Sequence, residues 1–180
     1  MPADEGARHS TTVIGIDPGI AATGMAVVQG RGFQVISHHW EVVRTAAAAS
    51  QGERLEIIYR AASDLFRRFR PDLAVVEDVF LLDATPKSAF SISTVIGVLL
   101  LAAAQSQVPV DRISVREAKQ VLTGNGKASK DQLERAVRSV LGLTQPVKSD
   151  HASDALGLAL IGLLRFDNPL QRQLGASPCR

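Results

Sequence analysis

The stretch Thr12–Val28, which reads TVIGIDPGIAATGMAVV, decides the fold. Its first part, Thr12–Asp17, is rich in β-branched residues and predicts a strand that ends in an acidic side chain. Proline and glycine predict a turn over 18–23, and a second apolar strand follows over Gly24–Val28. The pattern therefore predicts two adjacent strands with a carboxylate held where the first strand ends.

The elements that follow predict one α/β domain with a mixed five-stranded sheet flanked by helices. Apolar periodicity and turn residues place them as a third strand at Phe33–Val43, a helix at Gln51–Arg70, a strand at Leu73–Glu77, a helix at Ser88–Gln105, a strand at Val110–Val115, a short helix to Leu122, and helices at Lys130–Leu141 and from Ser149 or Asp150 to Leu164. The helix at Ser88–Gln105 is apolar nearly all round, so we expect another subunit to cover part of it. The predicted domain spans 11–165, between a disordered N-terminal tail at 1–10 and a C-terminal tail at 166–180.

Composition narrows the classes of protein. The chain has 180 residues, 46% of them hydrophobic, which suits one well-buried domain. Its single cysteine, Cys179, excludes an intramolecular disulfide and a cysteine metal cluster, and fits a reducing, cytoplasmic setting. The N-terminal residues lack the apolar core of a signal peptide, and the longest apolar run, 95–104, is too short to span a bilayer, so a soluble protein without a membrane partner is expected. A net charge of +2 is compatible with a polyanionic partner.

Three separate stretches carry candidate catalytic residues. Asp17 and Glu77 each end a predicted strand, while His151 and Asp154 lie three residues apart and share one face of the last helix. Each has a simpler alternative: Asp17 can cap its turn, Glu77 can pair with an arginine, and His151 can be a satisfied core histidine. Asp150 precedes this pair, and a carboxylate in a first helical turn also complements the helix dipole.

Gathered together, these acids would repel one another and take up protons unless a divalent cation bound between them. Oxygen-rich ligands favour Mg²⁺ or Mn²⁺, and one imidazole shifts the preference somewhat towards Mn²⁺. In a site with two such ions, one activates the attacking water and the other stabilises the leaving oxygen. The four candidates thus indicate a site for divalent metal ions that would activate a water molecule for hydrolysis.

Four motifs in order, IGIDPGIAATG, VVEDVF, VREAKQVLTGNGKASKDQL and SDHASDALGLAL, resemble those of the RuvC family of Holliday-junction resolvases, over about Val13 to Leu164. The resemblance implies a ribonuclease H-like fold, a homodimer, and symmetric paired nicking of a four-way DNA junction in recombination and repair. It assigns Asp17, Glu77, His151 and Asp154 to the catalytic metal site, with Asp150 beside it. Partnership with a branch-migration helicase is a further expectation from the family.

The same resemblance implies contacts with DNA. Phe80 matches an aromatic residue that stacks on unpaired bases, and Lys119 and Lys130 match basic residues near the scissile phosphate; Lys127 would add to their charge. Phe80 can equally be a core residue, and the lysines can simply be solvated. The loop around Lys127 can present amides to phosphate or form only a tight turn.

One segment departs from the family pattern. Ile92–Gly97 lacks an arginine that relatives usually carry there, which puts any contact made through that arginine in doubt. Two other functions remain open: a dimer that binds junctions without cutting them, and an actin-like or sugar-kinase-type ATPase, which rests on the loop after Asp17 alone. A chain of this length has no room for the second lobe of such an ATPase.

Overall fold

The computed structural model describes residues 10–78 and 86–166, with the backbone alone for 86–88. Five strands form one sheet in the order β3-β2-β1-β4-β5. They are β1 (Thr11–Asp17), β2 (Ala22–Arg31), β3 (Gln34–Arg44), β4 (Leu73–Glu77) and β5 (Val110–Ile113). The first three strands pair antiparallel, whereas β4 lies parallel to both β1 and β5, so the predicted mixed sheet is confirmed.

Helices cover both faces of this sheet. They are α1 (Gln51–Phe69), α2 (Pro86–Gln105), α3 (Val115–Thr123), α4 (Lys130–Leu141) and α5 (Asp150–Phe166). One apolar cluster joins α1 and α2 to one face, through residues such as Ile14 and Phe66. A second joins the other three helices to the opposite face, through residues such as Val13 and Leu156. Because β1 and β4 contribute to both clusters, they read as continuous apolar runs rather than alternating ones.

Capping residues explain where the helices begin. The side chains of Ser50 and Ser129 each accept a hydrogen bond from the backbone N–H three residues on. In return, the side chains of Glu53 and Gln132 accept one from the backbone N–H of the serine, so α1 and α4 both begin with complete capping boxes. The predicted bounds of α4 are confirmed residue for residue. Elsewhere the observed elements differ from the predicted ones at their ends. The helix α2 starts two residues earlier than predicted, at Pro86, because proline is favoured in a first helical turn. The strand β2 is longer than predicted because both neighbouring strands pair with it.

The helix α5 lies unusually close to the sheet. A Cβ on Gly15 of β1 would come within 2.1 Å of the Ala155 carbonyl oxygen and 2.5 Å of the Ala159 nitrogen. A glycine at this position therefore permits the helix backbone to rest on the strand. From Ala155 to Leu163 every residue of α5 is buried, since the sheet lies beneath it and α3 and α4 lie on its outer side.

The two tails predicted at 1–10 and 166–180 fall almost wholly outside the described residues, so those predictions are untested. Within the described ranges, no helix combines the length and hydropathy that a membrane crossing requires.

Candidate active site

Two acidic side chains meet at one edge of the sheet. Strands β1 and β4 are parallel, with Ile16 opposite Val76, so the next residues, Asp17 and Glu77, are neighbours at the carboxyl ends of adjacent strands. Asp17 is 7% exposed, and Glu77 is partly buried. The two carboxyl groups are close enough for Asp17 to raise the pKa of Glu77, through hydrogen bonding and through its charge.

The first turn of α5 brings two more polar side chains to the same edge. Nδ1 of His151 lies 2.6 Å from Oδ2 of Asp17, and Asp154 projects from the same helical face. Gly24, opposite Asp17 on β2, makes this approach possible, because a Cβ there would stand 2.0 Å from the His151 carbonyl oxygen. The structure thus gathers all four predicted residues from β1, β4 and α5.

Burial and mutual repulsion alter the protonation of this cluster. Burial raises the pKa of Glu77 to about 8, helped by the hydrogen bond to Asp17 and by the charges of Asp17 and Asp154. Burial also raises the pKa of Asp154 to about 6, assisted by the charge of Asp17 and opposed by Lys130 and Lys119. At neutral pH the cluster therefore retains a proton that isolated carboxylates would have lost.

The donor chemistry of the cluster fits a divalent cation. Among the residues that the structure describes, no three His, Cys, Asp or Glu side chains are arranged to hold a metal ion as they stand. Instead, the raised pKa of Glu77 lets this carboxyl group keep a proton beside Asp17, which is how crowded acids behave without a counter-charge. A cation placed between them would displace that proton and relieve the same repulsion.

The expected alternatives for Glu77 and Asp17 are less well supported by the geometry. Arg112, the arginine on the neighbouring strand, pairs with Asp78 at 2.5 Å rather than with Glu77. Thr23 Oγ1, rather than Asp17, accepts a hydrogen bond from the Gly19 amide and donates one to the Gly19 carbonyl oxygen. The turn is therefore stabilised without the Asp17 side chain.

Two of the three predicted DNA-binding lysines lie near the acids. Nζ of Lys130 is 3.0 Å from Oδ2 of Asp150, which is the main reason that the pKa of Lys130 is raised; the charges of Asp154 and Asp17 add to the effect. Lys119 is close enough to lower the pKa of Asp154. Asp150 therefore contacts a lysine, whereas Lys127 is exposed on a turn, with no described side-chain contact to the cluster. Phe80 lies outside the described residues.

The glycine loop is a tight turn, as the second of our two interpretations held. The amides of Asn125, Gly126 and Lys127 donate respectively to Thr123 Oγ1, Gln120 Oε1 and Asn125 Oδ1. Amides already bonded within the chain are not free to bind phosphate. The interpretation of this loop as a flexible phosphate cradle is therefore wrong for the conformation described.

Sequence reasoning missed two features next to the acids. One is the close approach of α5 to Gly24, since the sequence predicts this glycine only as the start of a strand. The other is Ser153, whose buried Oγ has no hydrogen-bond partner in the described part of the chain and lines a cavity of about 160 Å³. Lys130, Asp150 and Asp154 line the same cavity, which reaches back between α4 and α5.

Comparisons with known proteins agree with this geometry. Residues 13–162 match the family model described as crossover junction endodeoxyribonuclease RuvC. The protein of that name from Carboxydothermus hydrogenoformans is 35% identical, over 86% of this chain and 96% of its own length. The one from Moorella thermoacetica is also 35% identical, over 82% of this chain and 88% of its own length.

A solved structure supports the same relationship. RuvC of Thermus thermophilus in complex with a Holliday junction substrate superimposes with a TM-score of 0.82 at 33% identity, covering 87% of this chain and 95% of that one. This likeness confirms the expected ribonuclease H-like fold. The chain therefore belongs to the RuvC family of crossover junction endodeoxyribonucleases, metal-dependent enzymes that hydrolyse phosphodiester bonds in DNA.

Proposed function

We propose that Asp17, Glu77, His151 and Asp154 form the catalytic centre with which this chain resolves four-way DNA junctions. The observation that carries the proposal is the convergence of these side chains from three elements, with His151 2.6 Å from Asp17. Burial there also raises the pKa of Glu77 to about 8. Perturbed protonation in such a cluster is typical of catalytic sites. Membership of a nuclease family decides against the ATPase alternative.

The four side chains would hold two Mg²⁺ or Mn²⁺ ions, which when bound would supply an activated water and stabilise the leaving oxygen. Asp17 would be the central ligand, because it lies 2.6 Å from His151 and close enough to Glu77 to raise the pKa of that group. His151 must be neutral to act as a ligand, and Glu77 must give up its proton to ligate. Asp17 and Glu77 lie on buried strands, so their positions are set before the ions bind.

The lysines would neutralise the scissile phosphate. The positive charges of Lys119 and Lys130 lower the pKa of Asp154, so both lysines lie near this carboxylate. A phosphate bound at the metals would therefore lie within reach of both charges. Asp150 holds Lys130 in place through their 3.0 Å ion pair, and in this proposal it is a positioning residue rather than a metal ligand. Lys127 would contact the DNA backbone farther away, and Phe80 would stack on an opened base.

The enzyme would work as a homodimer through α2. On the outer side of this helix Phe90 is 69% exposed, Leu101 52% and Leu100 37%, an apolar stripe that a monomer would leave in water. A two-fold dimer would present two catalytic centres to a two-fold junction, which suits symmetric paired nicking. The charged substitution Leu101→Glu is expected to give monomers in sedimentation velocity; an unchanged dimer would place the interface elsewhere.

A branch-migration helicase remains a proposed partner from family membership.

The substitution Asp17→Asn tests the catalytic assignment. It removes a metal ligand while keeping the shape of the side chain, so cleavage of a synthetic junction in Mn²⁺ should be lost and junction binding largely kept. Asp64→Asn, on the exposed face of α1, is the matched control and should cut at the wild-type rate. Cleavage at the wild-type rate by Asp17→Asn would contradict the assignment. A wild-type protein that binds junctions but never cuts them would instead support the non-catalytic dimer.

A further inference from the structure

A second polar cavity lies at the end of the sheet remote from the acidic cluster. It measures about 620 Å³ and is lined by the C-terminal half of α1, the end of α2, and the residues that lead into β4 and β5. Pro71 lines it just before β4 begins, whereas Glu77 ends that strand, so the length of β4, about 17 Å, separates the two sites. Its volume lies within the range of small-molecule sites.

The helix ends that border this cavity are unusual within the chain. Four helices end at a residue in the left-handed conformation, which costs free energy for any residue that has a side chain. On α3 and α4 that residue is a glycine, Gly124 or Gly142. On α1 and α2 it is Arg70, with φ 45°, and Gln107, with φ 56°, and these are the non-glycine residues of positive φ in the described ranges.

Arg70 and Gln107 both line the cavity. The chain uses the less costly glycine where a cap has only to end a helix, and uses long polar side chains at the two caps that face this space. A residue that keeps a strained backbone conformation where glycine would serve points to a task for its side chain.

The other lining residues indicate the kind of ligand. None of them is a carboxylate, and most donate hydrogen bonds: Arg67, Ser63, Ser106 and the Tyr59–Gln105 pair join the two cap residues, while Phe66, Pro71 and Val108 supply an apolar floor. Asp64 pairs with one guanidinium nitrogen of Arg67, at 2.7 Å, and leaves the other guanidinium N–H groups available to a ligand. Two guanidinium groups with hydroxyl and amide donors match a phosphate group.

We propose that this cavity binds a phosphomonoester, held by Arg67, Arg70 and Gln107. A free nucleotide and the phosphorylated end of a DNA strand share that chemistry. The site is independent of the catalytic proposal, because no residue of the acidic cluster lines it.

The test measures binding by the full-length protein in EDTA, by calorimetry and thermal unfolding. The probes are AMP, adenosine, and a short duplex with or without 5′-phosphates. AMP should bind and raise the Tm, and adenosine should not; binding of the duplex only when it carries 5′-phosphates, and more tightly than AMP, would identify DNA ends as the source. Arg70→Gly and Gln107→Gly should each weaken AMP binding at least tenfold.

The same two variants test the inference from the helix caps. Glycine relieves the left-handed backbone, so each should melt about 2 °C higher than wild type while losing affinity. Arg68→Ala, which removes a neighbouring arginine that lies over Phe69 instead, is the matched control and should bind AMP normally. Both glycine variants should cut junctions at the wild-type rate. Absence of AMP binding by the wild type, equal binding by the glycine variants, or a lower Tm in both of them would overturn the proposal.

Discussion

The protonation of Glu77 should make the metal-free protein less stable as the pH rises. Its pKa stands near 8 in the folded chain against an ordinary value of 4.5. Between pH 6 and pH 8 the unfolded chain has released this proton while the folded chain still holds it, so folding becomes less favourable with each step of pH. A raised carboxyl pKa thus contributes stability at low pH that is lost as the pH rises through 8.

Over these two pH units the expected loss in the free energy of unfolding is at most about 3 kcal/mol. Asp154, whose pKa is raised only to about 6, contributes mainly below this window. The assay is urea unfolding in EDTA at pH 6, 7 and 8 for the wild type, Glu77→Gln and Glu56→Gln. Glutamine keeps the shape but cannot titrate, so Glu77→Gln should lose most of this slope. Glu56, exposed on α1 and paired with Arg60, provides the matched control and should leave the slope unchanged.

Manganese should reverse the effect in the wild type. Because a bound cation displaces the proton of Glu77, Mn²⁺ should stabilise the protein more at pH 8 than at pH 6. Identical pH slopes in the wild type and Glu77→Gln, or a metal-free wild type that gains stability from pH 6 to pH 8, would show that Glu77 does not keep its proton in the folded chain.

Two further substitutions probe how the site is positioned. Gly24→Ala drives a methyl group into the backbone of His151, so we expect a loss of about 1–3 kcal/mol in urea unfolding and a fall in junction cleavage of at least tenfold, whereas Gly52→Ala on α1, where nothing lies within 4 Å, should change neither. Asp150→Asn frees Lys130, and because the pair is exposed we expect only a three- to tenfold loss in cleavage rate with unchanged Mn²⁺ affinity. Lys130→Met should make the Asp150→Asn change silent in a double-mutant cycle, and a weaker Mn²⁺ affinity in Asp150→Asn would show that Asp150 is a ligand instead.

Local chemistry explains which parts of the fold the sequence could predict. The bounds of α4 follow from a serine cap and a terminal glycine only a few residues from the helix, and the end of β4 follows from an apolar run closed by an acid. These signals lie within the element itself, so no knowledge of the rest of the chain is needed.

The parts that could not be predicted depend on contacts between distant segments. Gly24 matters because α5, more than 120 residues later, rests against it, and Lys130 meets Asp150 only when α4 and α5 pack side by side. For the turn at 123–127, the glycines were compatible with free amides as well as with a tight turn. The deciding contacts are the hydrogen bonds that its amides donate to Gln120 and Thr123 of the preceding helix.

The burial of α5 links its first turn, which carries His151 and Asp154, to the cooperative unfolding of the whole domain. Amides in its middle turns can exchange with deuterated solvent only when the layers on both sides separate, so their protection should approach that of global unfolding. His151 and Asp154 lie in the first turns of this same helix. A small molecule that binds beside the acidic side chains would therefore meet His151 and Asp154 on a helix that does not open separately from the domain.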